Sequence, residues 1–101
     1  MKLLMVTVVE EYRKETLQLF KKAKIENFSG LEVDGYKILP SLLRTSSWFP
    51  IERGGAKSRL FFSFTEADKI ENIFQLIEQF NENLETNNPI KAVVIPIEKY
   101  I

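Results

Sequence analysis

The side chains here that can do acid–base or ligand chemistry are carboxylates, hydroxyls and cations, because the 101 residues include no His and no Cys. A histidine general base, an imidazole metal ligand, a thiolate and a disulfide are therefore all excluded. Two carboxylate pairs, Glu10 with Glu11 and Glu32 with Asp34, lie close enough in sequence for general acid–base work. Adjacent or alternating charges of this kind are more simply read as a solvated edge. No G-x-S-x-G elbow, P-loop or G-x-G-x-x-G occurs. Soft metals want thiolate or imidazole, and only oxygen ligands are present. The expectation is a protein that is not an enzyme and holds no metal.

The cations are more informative. Fourteen basic residues balance fourteen acidic ones, which argues against a protein devoted to a polyanion. Locally the balance fails. Arg44, Arg53, Lys57 and Arg59 lie within or beside the stretch SWFPIERGG, residues 47–55, and Glu52 is the sole acid between Lys37 and Arg59. Trp48 and Phe49 stand among them, and aromatics and Arg are the residue types enriched at binding hot spots. These residues predict either a partner- or ligand-binding segment or a lid that only completes the core. Gly35, just before Tyr36 and Lys37, marks a close backbone approach or an edge bulge. The aromatic run SRLFFSF, with Arg59 ahead of its phenylalanines, invites an RNA-binding reading. That run lacks glycines, and the partner strand has no matching aromatic.

These residues must be held by a small number of elements. Leu3–Val9 is a nearly unbroken apolar run, as in a strand buried on both faces. Its lysine-led start imitates a signal peptide but passes directly into charge. Glu10–Lys24 has apolar spacing of three and four, predicting an amphipathic helix with Lys21, Lys22 and Lys24 in its last turn. Phe28–Leu39 alternates as an edge strand does. Arg59–Phe64 is a third strand, and Thr65 is expected to cap a second helix running to Leu84. Ile90–Ile97 is the last strand, where Pro96 points to an edge or an end. The order βαββαβ predicts one domain, residues 1–101, of the α+β ferredoxin-like class, with sheet order 4-1-3-2 and a long insertion at about 38–58. No apolar stretch approaches the roughly 20 residues of a membrane span, so a cytoplasmic location is expected.

Two helices cover one face of such a sheet. The first strand is nevertheless apolar on both sides, with Leu4, Val6 and Val8 opposing Leu3, Met5 and Val9, and the third offers Leu60, Phe62 and Phe64 opposite Phe61. An uncovered apolar face predicts a homo-oligomer, unless the insertion folds back over it.

The string FSGLEVDGYK, the insertion after it and the closing KAVVIPIEKYI resemble the PII signal-transduction superfamily, in its short, divergent form. The resemblance spans essentially the whole chain as a pattern, and the V-x-G-[FY] step at Val33–Tyr36 is its most specific part. It implies a homotrimer of ferredoxin-like subunits and a non-catalytic regulatory role. The insertion would act as a T-loop on a partner protein such as a membrane transporter, through Arg44, Trp48, Phe49, Arg53 and Lys57. It also implies an effector cleft between subunits, near Gly35, Lys37, Arg59 and Lys91. The cofactor it suggests is an adenine nucleotide, yet NLETNNPIK stands where a Gly-rich phosphate loop is expected, without a single Gly. The basic C-terminal residues and the modified loop Tyr of that family have no counterparts. Beside this reading stand a nucleotide- or metal-binding module without a protein target and an RNA-binding βαββαβ domain. Nucleic-acid binding and membrane insertion are not expected.

Overall fold

In the computed structural model, residues 1–35, 56–84 and 88–101 are described. The chain runs β1 (Lys2–Val9), a 3-10 turn (Glu10–Tyr12), α1 (Arg13–Lys22), β2 (Ser29–Gly35), β3 (Ala56–Thr65), α2 (Ala67–Glu82) and β4 (Lys91–Pro96). All strand pairs are antiparallel, in the order β2-β3-β1-β4, which is the expected 4-1-3-2 order seen from the other side. Among the described residues no helix is long and apolar enough to cross a membrane.

Both helices pack on one face. Leu4, Val6 and Val8 of β1 are fully buried there, with Phe61 of β3, Leu19 and Phe20 of α1, and Ile73 and Ile77 of α2. Phe20 meets Phe61 edge-on at 5.7 Å and Phe28 at 4.9 Å, a geometry that suits aromatic quadrupoles. Gly30 makes room for this cluster: a Cβ there would come within 2.7 Å of the Phe61 ring. Tyr12 closes the other end, edge-on to Phe80 at 5.9 Å.

Element ends depart from expectation where two local preferences compete. Thr65 does not cap α2. It is the last residue of β3, in register with Lys2, and Glu66 takes the cap position without a side-chain bond. The Thr65 hydroxyl instead donates to Ser63 Oγ at 2.8 Å, and Ser63 donates to the Asn27 carbonyl at 2.6 Å. A β-branched residue with a strand partner stays in the strand. The expected first helix begins as a 3-10 turn, and α1 stops at Lys22. Lys24 lies beyond it at φ 61°, so that the Ile25 N–H reaches back to the Phe20 carbonyl at 2.9 Å. This is the left-handed C-terminal closure usually given to Gly. The second helix stops at Glu82, short of Leu84. The third strand is longer than the aromatic run, because Ala56 and Lys57 pair with Gly35 and Asp34. Pro96 ends the edge strand β4, where its missing N–H is harmless.

Candidate functional site

Strand alternation assigns each candidate residue to a face. The open face carries Leu3, Met5, Thr7 and Val9 of β1, flanked in register by Phe64, Phe62, Leu60 and Ser58 of β3 and by Ile95, Val93 and Lys91 of β4. Leu31, Val33 and Gly35 of β2 complete it. Exposure here is large for apolar side chains: Phe64 59%, Leu31 44%, Ile95 42% and Val93 37%. Phe62 and Phe64 stand edge-on at 6.4 Å. No aromatic of β1 faces them, so the paired stacking platform of an RNA-recognition sheet is not built here.

Gly35 is buried at the end of β2, opposite Ala56. Lys91 is half-buried at the start of β4, opposite Thr7. Both belong to the open face, but they lie on the two outer strands, three strand spacings of about 4.8 Å apart. Lys57 and Arg59 occupy the other face, in register with Asp34 and Glu32. One chain therefore does not gather Gly35, Arg59 and Lys91 into a single cluster. Lys37, Arg44, Trp48, Phe49 and Arg53, and with them most of the 38–58 insertion, lie outside the described residues.

Arg59 already has partners. Its Nε donates to Glu10 Oε2 at 2.8 Å and its Nη2 to Glu32 Oε1 at 3.2 Å. Arg13 Nε reaches the other oxygen of Glu10 at 3.2 Å. The hydrogen bond from Arg59, helped by the nearby charges of Arg59, Arg13 and Lys57, holds the Glu10 carboxyl below its ordinary range. The same bond raises the Arg59 guanidinium above its own. The arrangement ties the β2–β3 pair to the turn after β1 and occupies a cation that sequence reasoning assigned to a ligand.

Two residues that sequence reasoning passed over matter more. Asn81, in the last turn of α2, donates from Nδ2 to the Ile90 carbonyl at 2.9 Å and accepts from the Ile90 N–H at 2.9 Å. This double clamp fixes the backbone directly before Lys91. It also uses the N–H that a phosphate cradle would need, and Pro89 has none to offer. Thr7 is the second. It is fully buried on the open face, and its Oγ1 has no hydrogen-bond partner. The available signals were an Asn late in a helix just before a turn cluster, and the lone hydroxyl within Leu3–Val9.

No family model matches the chain, and no curated protein does. Solved structures do match. One is CPII, a nitrogen regulatory PII-like protein from Thiomonas intermedia K12, bound to ADP, AMP and bicarbonate. The likeness covers 99% of this chain and 94% of that one, with a TM-score of 0.64 at 10% sequence identity. At that identity the likeness is one of architecture, and over nearly its whole length this chain has the ferredoxin-like fold of a PII-like protein.

Proposed function

We propose that the protein is a non-catalytic PII-like regulatory protein of the cytoplasm. It assembles as a trimer through the open face of its sheet and acts on a partner protein, such as a membrane transporter, through residues 38–58. The carrying observation is that open face, where Leu31, Phe64, Val93 and Ile95 stay exposed beside half-buried Leu3, Met5, Leu60 and Phe62. Burying even about 300 Å² of it contributes several kcal/mol at roughly 25 cal/mol per Å². The fold it shares with CPII supplies the precedent for a regulatory role, and the three-fold order follows from the resemblance to the PII superfamily.

Assembly also changes the meaning of the scattered candidates. Gly35 and Lys91 sit at opposite edges of one sheet, so a neighbouring subunit brings one edge to the other. The effector cleft lies there, lined by Gly35, Lys37 and Lys91, with Arg59 holding the base of the insertion. CPII carries ADP, AMP and bicarbonate, and those three are the first effectors to try. Arg44, Trp48, Phe49, Arg53 and Lys57 form the partner contact, with the aromatics as anchors and the cations meeting an acidic surface.

The test is capture of a partner by the tagged full chain. Replacing Trp48 and Phe49 by Ala should leave the trimer intact and abolish capture. Breakdown of the trimer in that variant would instead make residues 38–58 a lid.

A further inference from the structure

We propose that the outer faces of α1 and α2 form a charge-paired contact with a second copy of this chain, α1 of each copy lying on α2 of the other. The contact lies on the side of the sheet away from the open face and goes beyond the proposed function. From Arg13 to Lys24 the exposed charges are four lysines, Lys14, Lys21, Lys22 and Lys24, with no exposed acid. From Glu66 to Glu82 they are five acids, Glu66, Asp68, Glu71, Glu78 and Glu82, with no exposed cation. Lys69, the one cation of α2, is half-buried and donates to the Lys24 carbonyl at 3.0 Å. Among the described residues the ion pairs are Arg13 with Glu10 and Arg59 with Glu10 and Glu32, so both stripes are unpaired within the chain. The dipole of α1 accounts for Lys21 and Lys22 in its last turn. It does not account for α2, whose last turn has no cation and ends on Glu82, one turn beyond Glu78. An acid there opposes the dipole, and acids at i and i+4 repel each other. Cations from outside the chain offset both.

The arrangement narrows the partner. Both helices lie side by side on one face of the sheet, so a uniformly anionic surface would repel α2 as it attracts α1. The partner therefore carries both signs in adjacent stripes, and this helix layer is itself such a surface. α1 joins the parallel strands β1 and β2, α2 joins β3 and β4, and the two pairs run oppositely, so the helices are antiparallel. A two-fold axis running along the helices, midway between them, sets each α1 antiparallel over the other copy's α2. Lys14 and Lys21 are two helical turns apart, about 10 Å, and so are Glu71 and Glu78. In that overlay Lys14 meets Glu78, Lys21 meets Glu71, and Lys24 falls toward Asp68. Exposed pairs are individually weak and screened by salt, so the contact is reversible and strongest at low ionic strength.

The experiment is light scattering of the full chain over a range of concentrations in about 0.01 M and about 1 M salt, where the Debye length is about 30 Å and about 3 Å. The mass at low salt should reach about twice the high-salt mass or more. Lys14→Glu with Lys21→Glu should keep the high-salt mass in both buffers, and so should Glu71→Lys with Glu78→Lys. Combining all four substitutions in one chain restores opposite charges across the contact and should bring the low-salt mass back. A loss caused by damaged folding would not be repaired in this way, and helix content by circular dichroism should be unchanged throughout. A mass independent of salt, a low-salt mass untouched by either pair of substitutions, or a fourfold swap that stays at the high-salt mass would each overturn the proposal. Low-salt binding to phosphatidylserine vesicles without self-association, lost with Lys14→Glu and Lys21→Glu, would give the lysines to a lipid surface and overturn it too. The high-salt mass reports the open-face assembly alone. A monomer there that dimerises at low salt removes the trimer and leaves this contact, and a trimer in both buffers does the reverse.

Discussion

The two faces of one sheet have been finished differently. On the helix-covered face the apolar residues are packed and the polar ones are served: Ser63 has the Asn27 carbonyl, Thr65 has Ser63, and Arg59 has Glu10 and Glu32. On the open face Phe64 and Leu31 stand in water and the Thr7 hydroxyl has no partner. The same alternating strands build both faces, so the difference cannot come from strand propensity. The open face is apolar and exposed at its Phe64 and Ile95 end and buried at its Thr7 and Ser58 end, and an exposed apolar patch of this kind is the mark of an interface.

Neighbouring phenylalanines give the sharpest way to break that contrast. Phe61→Ala should cost about 3–5 kcal/mol of folding stability in chemical denaturation, because it empties a ring slot between Phe20 and Phe28. Phe64→Ala, three residues on and pointing the other way, should leave the subunit's own stability nearly unchanged. Equal losses would mean that the open face is structural within one chain. Next in size, Gly30→Ala should destabilise by about 1–3 kcal/mol, since the added Cβ meets a ring held on two sides. A neutral result in thermal melts would show that Phe61 can shift. Asn81→Ala removes two bonds to Ile90 and should cost about 1–2 kcal/mol. Hydrogen exchange at the start of β4 should rise with it, and unchanged protection there would dismiss the clamp. Lys24→Gly should stabilise by about 1 kcal/mol, because Gly occupies the left-handed region without strain.

The smallest effect is electrostatic. Glu10 has its folded pKa depressed, so its contribution is present above the unfolded value and is lost as pH falls through the folded one. Unfolding curves of the wild type and Glu10→Gln should differ at neutral pH and converge in acid. The pair is exposed, so added salt should shrink the difference.

Much of this architecture was legible in the sequence. The apolar run of β1 and the spacing of Ile70, Ile73, Phe74 and Ile77 in α2 are periodic signals, and periodicity survives folding unchanged. Thr65 was misread because Thr suits both a helix cap and a strand end, and only its register with Lys2 decides between them. Lys24 gives no sign of a positive φ, since a left-handed closure is ordinarily announced by Gly or Asn. The site was harder. Arg59 reads as a free cation until its partners, 27 and 49 residues away in sequence, are brought beside it. Thr7 looks like a tolerated hydroxyl in a strand until its burial and isolation are seen together. The strand expected over Phe28–Leu39 is observed as Ser29–Gly35, and its expected continuation lies outside the described residues.

The central claim is that the open face is a subunit interface, and light scattering coupled to size-exclusion chromatography tests it most directly. The full chain should elute with three times the subunit mass of 11.8 kDa. Phe64→Glu, which sets a carboxylate on the most exposed ring position of the face, should release folded monomers. A wild-type chain that is monomeric at all concentrations, or a Phe64→Glu variant that assembles as before, would contradict the account.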